Sequence, residues 1–457
     1  ASVAWRVSEE PWMKWSEEWL DNFKIRLSAG SMGNGNVDPY SYTSEMTVVT
    51  ASDIVLGGGL PSYTTVGSTV PVSLTWEKST TYDLGLDLDF LNNRLSLSGD
   101  YYRRYTSDMY TPSISLPSVY GTTSPKGNNA ELRTTGWELS FTWRDSFKLG
   151  GKPFDYSIKA MVWDNRTVVT KYENATRSLG TLKGYIQNGG SPSDFYEGME
   201  LGEMWGYTVA GLFRDQADID SSATHDFTQA SDKVTRPGQV KIADLDHNGN
   251  IDPGAFTADD HGDLSIIGNI NPHYMFGVNL AANWNGIGLS VFLQGVMKRD
   301  WYPSPDSGYF WGKYARPFMW VLGIHNYTDD MYSEEKNNWD TAYWPRMTTY
   351  QSNSSYSWTK LLEIPNTRYK QNAAYLRVKN IQVDYTFPKA LCQKIRLGGL
   401  KIYLSGENLF TFTPLHKYAP NFDPEALGYD TDFSSTAGDG YTYPVLKSVT
   451  LGVNITF

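Results

Sequence analysis

The 457-residue chain carries 39 basic and 50 acidic side chains, a net charge of −11 that argues against nucleic acid as a partner. Tyrosine (31), tryptophan (16) and glycine (41) are abundant, and charged residues make up only 19%. No stretch approaches the ~18 uninterrupted apolar residues of a spanning helix, which excludes an α-helical membrane protein but not a membrane β-barrel, and the single Cys392 excludes an intrachain disulfide.

The opening ASVAWRVSEE reads like the end of a strand, without an initiator Met or a signal peptide, so an upstream portion is expected to precede it. Leu84, Leu86, Leu88 and Phe90 alternate with Gly85, Asp87 and Asp89; after Asn92-Asn93, Leu95, Leu97, Gly99 and Tyr101 continue the alternation. Two such runs about a tight turn predict a hairpin. Leu139, Phe141 and Trp143 alternate with Ser140 and Thr142 and lead towards FDYSIKAMVW. Val278, Leu280, Ala282 and Trp284 are joined through Asn285-Gly286 to Ile287, Leu289, Val291 and Leu293, and Asn-Gly between alternating runs is the strongest short hairpin signal. YLRVKNIQVDYTF, LKIYLSGENLF and the terminal VTLGVNITF complete the series.

About eleven antiparallel strands are expected, with short turns at one end and long segments at the other, near residues 32–73, 110–130, 170–265, 300–372 and 412–442. That asymmetry predicts an outer-membrane β-barrel. Trp76, Trp137, Trp143, Trp163 and Trp284 are expected near strand ends, where amphipathic rings suit the lipid interface. The competing architecture is a secreted β-sandwich with these rings in its core. A membrane sheet must close, and twelve strands would make a small complete barrel, but the sequence begins in mid-pattern, so the first and last strands are expected to pair with strands outside this sequence.

Several stretches resemble the SusC/RagA family of TonB-dependent transporters. LTWEKSTTYDLGLDLDFLNNRLSLSGDYYRRYTSDMY is similar to its W-E-K-T hairpin, and ASVAWRVSEEPWMKWSEEWLDNFKIRLSAGSMGN to its S-x-A-W-R-x-S-E-E segment. AAYLRVKNIQVDYTFPKAL, IYLSGENLFTFTP and NFDPE resemble later family motifs in family order. The resemblance implies the C-terminal part of a 22-stranded barrel, with the plug domain, TonB box and first strands upstream. It further implies the outer membrane of a Gram-negative bacterium, a SusD-like surface lipoprotein as lid, and energy from the TonB complex. On that reading the sequence is an active importer of oligosaccharides, with peptides as the rival substrate. A passive porin and the β-sandwich binding module stand as alternatives outside the class.

Two constellations carry chemistry. In Asp244-Leu-Asp246-His-Asn248-Gly249-Asn250-Ile-Asp252, oxygen ligands at alternate positions, glycine at the sixth and an apolar residue at the eighth match a loop wrapped round Ca²⁺. The twelfth position is Ala255, so Asp263, within a family-like ending, is the candidate closing ligand, with Asp252 as alternate. The alternative is an acidic turn without metal. The segment WYPSPDSGYFWGKYARPFMW presents Trp301, Asp306, Tyr309, Trp311 and Trp320 as candidates to stack on or bond a sugar, or else to pack the loop. Adjacent acids such as Glu9-Glu10 and Asp259-Asp260 read as solvated loop charges, and no enzyme is expected. In the last strand Val449, Leu451, Val453, Ile455 and Phe457 should face lipid, and Phe457 resembles an assembly signal for the outer-membrane insertion machinery.

Overall fold

The computed structural model describes residues 1–35, 43, 46–52, 54–66, 74–112, 126–179, 195–224, 235–303, 310, 330–346, 365–427 and 445–457. Eleven strands form one antiparallel sheet in chain order. They are β1 (Ser2–Arg6), β2 (Leu20–Asn34), β3 (Glu77–Phe90), β4 (Leu95–Pro112), β5 (Lys126–Leu149), β6 (Lys152–Lys171), β7 (His273–Trp284), β8 (Ile287–Lys298), β9 (Tyr375–Thr386), β10 (Gly399–Phe412) and β11 (Ser448–Thr456). The aromatics therefore do not fill the space between two stacked sheets, as the β-sandwich alternative required. Each strand pairs with its sequence neighbour, and among the described residues β1 and β11 form the two edges.

The register explains why the alternation is so regular. One row of partners runs Leu86, Gly99, Leu139, Val162, Phe276, and the next runs Leu88, Leu97, Phe141, Ala160, Val278, Leu293, Val378, Phe410. Because side chains alternate faces strictly, one matched register puts every apolar run on the same side. Many of these side chains are exposed, including Leu86, Leu139, Phe141, Leu289, Leu404, Leu451 and Val453. A continuous exposed apolar band is what lipid solvates and water does not.

The opposite face is polar and internally bonded. Arg26 donates to Asp87 from Nε at 2.8 Å and also pairs with Asp100 at 2.9 Å, while Ser98 Oγ donates to Asp87. Glycine has a specific use on this face. Gly136 lies opposite Tyr102 and Gly452 opposite Tyr403, and in each case the ring covers the glycine so closely that a Cβ has no room.

The turns at one end are short. Leu91, Asn92 and Asn93 join β3 to β4, Gly150 and Gly151 join β5 to β6, and Asn285-Gly286, both at positive φ, join β7 to β8 as the Asn-Gly signal required. A helix over Lys389–Lys394 buries Cys392 at the same end. The long connections all leave from the other end.

One expectation is narrowed and one corrected. β4 and β5 continue to Pro112 and from Lys126, so residues 110–112 and 126–130 of the expected loop at 110–130 extend the ladder, and the rest of it lies outside the described residues. Trp163 pairs with Glu138 and Met275 on the polar face, so its ring does not belong to the lipid interface; the alternation of β6 around Ile158 and Val162 fixes this. Trp284, opposite Ile287, does lie at a strand end, and Trp137 opposite Tyr101 lies towards the far edge of the band.

Candidate functional site

Above the long-loop end, the connections pack together into a core of their own. The strand Glu203–Tyr207 pairs with Leu264–Asn269, and Val209–Leu212 pairs with Val240–Ile242, inside what sequence alone presented as one long loop. Tyr207, Leu212, Ile251, Leu264, Phe310, Trp344 and Tyr369 are fully buried there, packed with buried Leu415 and Phe422 from the connection after β10. The acidic loop hangs from this core.

The backbone of that loop is shaped by its own side chains. Asp246 Oδ1 accepts the Asn248 N–H at 3.0 Å, Asn248 Oδ1 accepts that of Asn250 at 2.7 Å, and Asp244 Oδ2 accepts that of Gly249 at 3.0 Å. Gly249 takes φ +85°, which a side chain would disfavour. Ile251 is buried, and its N–H donates to the Thr224 carbonyl at 2.7 Å while Thr224 N–H donates to the Gly249 carbonyl at 2.9 Å. The apolar eighth position is thus the anchor that ties the loop to the core.

Asp263 enters from the start of the strand Leu264–Asn269 and is 0% exposed. Its carboxylate accepts the N–H groups of Leu245 at 2.6 Å and Asp252 at 2.9 Å. Carboxylate oxygens of Asp244, Asp246 and Asp263 come within 4.8 Å of one another. Asp244 Oδ1 is buried and accepts no hydrogen bond. Burial, with the charges of Asp246 and Asp244 adding to it, pushes the Asp263 carboxyl above its ordinary range although the two backbone bonds oppose this. Asp252 points elsewhere, towards Gly254 N–H and Asn248 Nδ2, and stands outside the carboxylate cluster. Asn250 contributes its backbone and leaves its side chain exposed.

Of the ring-rich segment, Asp306, Tyr309, Trp311 and Trp320 lie outside the described residues. Trp301 is 3% exposed, with its ring against Phe422 at 5.0 Å and Phe310 at 6.2 Å. A ring enclosed on both faces cannot stack on a sugar, so Trp301 packs the loop core instead of lining a binding surface. Phe457 is 94% exposed, following β11 on its apolar side.

Two charged groupings escaped the sequence reading. Arg377 on β9 is buried and donates to Asp423 Oδ1 at 2.6 Å, Glu425 Oε2 at 2.8 Å and Thr411 Oγ1 at 2.9 Å, and Lys379 also reaches Glu425 at 2.6 Å. Arg299, whose guanidinium burial pulls below its usual range, donates to the Pro424 and Leu427 carbonyls of the same loop. The signal was present as two separate motifs, YLRVKN and NFDPE, which only the fold brings together. Buried His273 bonds Asp164 at 2.8 Å where the long connection re-enters the sheet, and Glu200 stands 3.7 Å from its other nitrogen.

A family model described as "TonB dependent receptor-like, beta-barrel" matches residues 1–243. TonB-dependent receptor P3 of Formosa agariphila is 27% identical over 100% of this chain and 41% of its own length. TonB-dependent receptor SusC of Bacteroides thetaiotaomicron is 23% identical over 100% of this chain and 39% of its own length. The chain thus spans about two fifths of the relatives it matches. Among solved structures, the RagAB peptide transporter matches all of this chain and 43% of its own with a TM-score of 0.66 at 19% identity, a likeness of fold.

Proposed function

The chain belongs to the TonB-dependent receptor β-barrel family, and from that premise we propose that it forms the C-terminal wall of an outer-membrane nutrient importer of the SusC type. The observation that carries this reading is the sheet itself. Eleven strands in one register present an apolar band on one face and a bonded charged lining on the other. Such a surface suits a bilayer outside and an aqueous or plugged lumen inside. Transport would draw on the TonB complex through the remainder of the receptor, and a SusD-like lipoprotein would close over the packed loops. Phe457 would serve as the signal for barrel assembly.

Oligosaccharide is the substrate class proposed first, through the ring-rich segment that follows Trp301. Peptide is the second reading, favoured by the enclosure of Trp301 and by the fold shared with a peptide transporter. The decisive experiment is uptake of labelled oligosaccharides and peptides by cells carrying or lacking the full receptor, with and without TonB. Uptake that persists without TonB would favour a passive pore. Uptake of peptides alone would replace the first substrate class by the second.

The acidic loop is proposed to hold a structural Ca²⁺ through Asp244, Asp246, Asn248, the Asn250 carbonyl and Asp263. Hard oxygen donors converge there, and the unbonded Asp244 Oδ1 has no other partner to satisfy it. Asp263 would orient the loop through its two backbone bonds while adding negative charge at the centre of the cluster.

A further inference from the structure

The outward face should carry no charge within the band, and within the band it carries almost none. Asp164, the partner of Trp137 in the Tyr101 row, is buried and bonded to His273, and the exposed face first carries charge one register above that row. There Tyr82, Arg103, Thr135 and Arg166 are aligned partners, and the next row holds Thr80, Tyr105, Arg133 and Val168. The alternation of β4, β5 and β6 is unbroken from the apolar rows to these positions, so all three arginines share the face of Leu139 and Val162.

Height above the short-turn end fixes where they stand. Arg103 is eight residues beyond Leu95, the partner of Phe90. At roughly 3.3 Å per residue and a strand tilt near 40°, this is roughly 20 Å, against an apolar band roughly 25 Å tall. Arg133, in register with Tyr105 two residues further along, stands at the outer boundary of the band and Arg103 and Arg166 just inside it, where a guanidinium can reach lipid headgroups while its stem stays in the apolar layer.

Their pairing is unequal. Arg166 is held by Glu200, which also accepts from Asn269. Arg103 bonds the Tyr101 hydroxyl at 3.3 Å, and among the described residues neither Arg103 nor Arg133 has a carboxylate within ion-pair distance. Tyr82, Tyr101 and Tyr105 are exposed around Arg103, with Tyr82 and Tyr105 packed edge to face at 6.4 Å. Arg103 and these rings border a recess of about 760 Å³ whose floor includes Leu27 and Leu84. A cationic rim over an apolar floor, continuous with the lipid-facing band, complements an amphiphile with an anionic head.

We propose that Arg103 and Arg133, framed by Tyr82, Tyr101 and Tyr105, bind the phosphate groups of lipopolysaccharide in the outer leaflet. The proposal rests on the outer-membrane reading above, since only that leaflet presents a phosphorylated glycolipid at this height. Guanidinium groups are suited to it because they donate two parallel hydrogen bonds to phosphate oxygens. The tyrosines would lie along the sugar and interfacial part of the lipid.

The test uses the full-length receptor, purified in detergent and titrated with lipopolysaccharide. Arg103→Gln combined with Arg133→Gln should weaken Kd by at least about tenfold, equivalent to losing one charge-assisted contact. Arg103→Lys with Arg133→Lys keeps the charges, provides a second variant should the first misfold, and should bind several-fold more tightly than the glutamine pair. Dephosphorylated lipopolysaccharide should bind the unaltered receptor as weakly as intact lipopolysaccharide binds the glutamine pair. Equal affinity in the glutamine pair, equal affinity for the dephosphorylated lipid, or full competition by inorganic phosphate at the lipid's own concentration would each overturn the proposal. A receptor that fractionates away from the outer membrane would instead overturn the membrane reading.

Discussion

Replacing Glu425 by alanine should loosen the connection after β10 without unfolding the sheet. Glu425 accepts from both Arg377 and Lys379, and Arg377 has a side-chain exposure of 3%. Removing one partner of a buried pair costs about 3–5 kcal/mol. Here Arg377 retains Asp423 and Lys379 can turn to solvent, which places the effect near the lower figure. About 3 kcal/mol corresponds to somewhat more than a hundredfold in the local opening equilibrium. Hydrogen exchange reads it directly at the amides of Ala419, Phe422 and Ala426, which are bonded within that connection. Those amides should exchange about a hundredfold faster, while amides of β9 and β10 keep their rates. Loss of the Arg299 bonds to Pro424 and Leu427 would follow as the loop lifts. A double-mutant cycle of Glu425→Ala with Lys379→Met isolates the coupling of Glu425 to Lys379 and leaves the remainder to Arg377 and the rest of the loop. An acceleration below about threefold would refute the reasoning, since it would mean that water replaces Glu425 at little cost.

Trp301→Ala removes a ring enclosed by Phe310 and Phe422, and should destabilise the loop core by about 3–5 kcal/mol, seen as faster proteolysis of the loops before any change in the barrel. Asp244→Asn should abolish Ca²⁺ binding measured by calorimetry, whereas Asp252→Asn should weaken it only modestly, because Asp252 stands outside the cluster. The pH dependence has a definite sign. Burial raises the Asp263 pKa, so the metal-free loop is most stable below the ordinary aspartate range and loses stability as pH rises through the raised value. Ca²⁺ affinity should run the other way, falling as pH is lowered through that value, as calorimetry at several pH values would show. Deleting Phe457 should lower the rate at which new receptor reaches the outer membrane, followed by pulse-chase, while heat resistance of assembled barrel stays unchanged, because the exposed ring holds little of the fold.

The wall was legible from sequence because its physics is local. Period-two alternation in Leu84–Phe90, Asn-Gly at 285–286 and the terminal run to Phe457 each specify strand and face without reference to anything distant. Asp244 and Asp246 were legible for a related reason, since spacing within one turn brings their oxygens together, whereas Asp263 was reached only through the resemblance of its segment to the family's loop ending. What sequence did not convey is contact between distant segments. Arg377 and Glu425 are 48 residues apart, and neither looks unusual until the chain folds back. The fate of Trp301 was undecided for the same reason, because a ring next to other rings stacks outward or inward according to partners such as Phe422. The arginines of the outer rim were hidden by their setting, because Arg103 and Arg133 look like ordinary strand-end charges until the register shows that they share the lipid side.

The outer-membrane reading rests on which face of the sheet meets lipid, and spin labels on β5 test it. Nitroxides placed singly at Leu139, Ser140, Phe141 and Thr142 of the full receptor, with Cys392 replaced by serine and the protein reconstituted in bilayers, would be compared for collision with oxygen and with a polar nickel chelate. Leu139 and Phe141 should favour oxygen, and Ser140 and Thr142 the chelate, in strict alternation. Equal accessibility along the four positions, or the reverse alternation, would contradict the account.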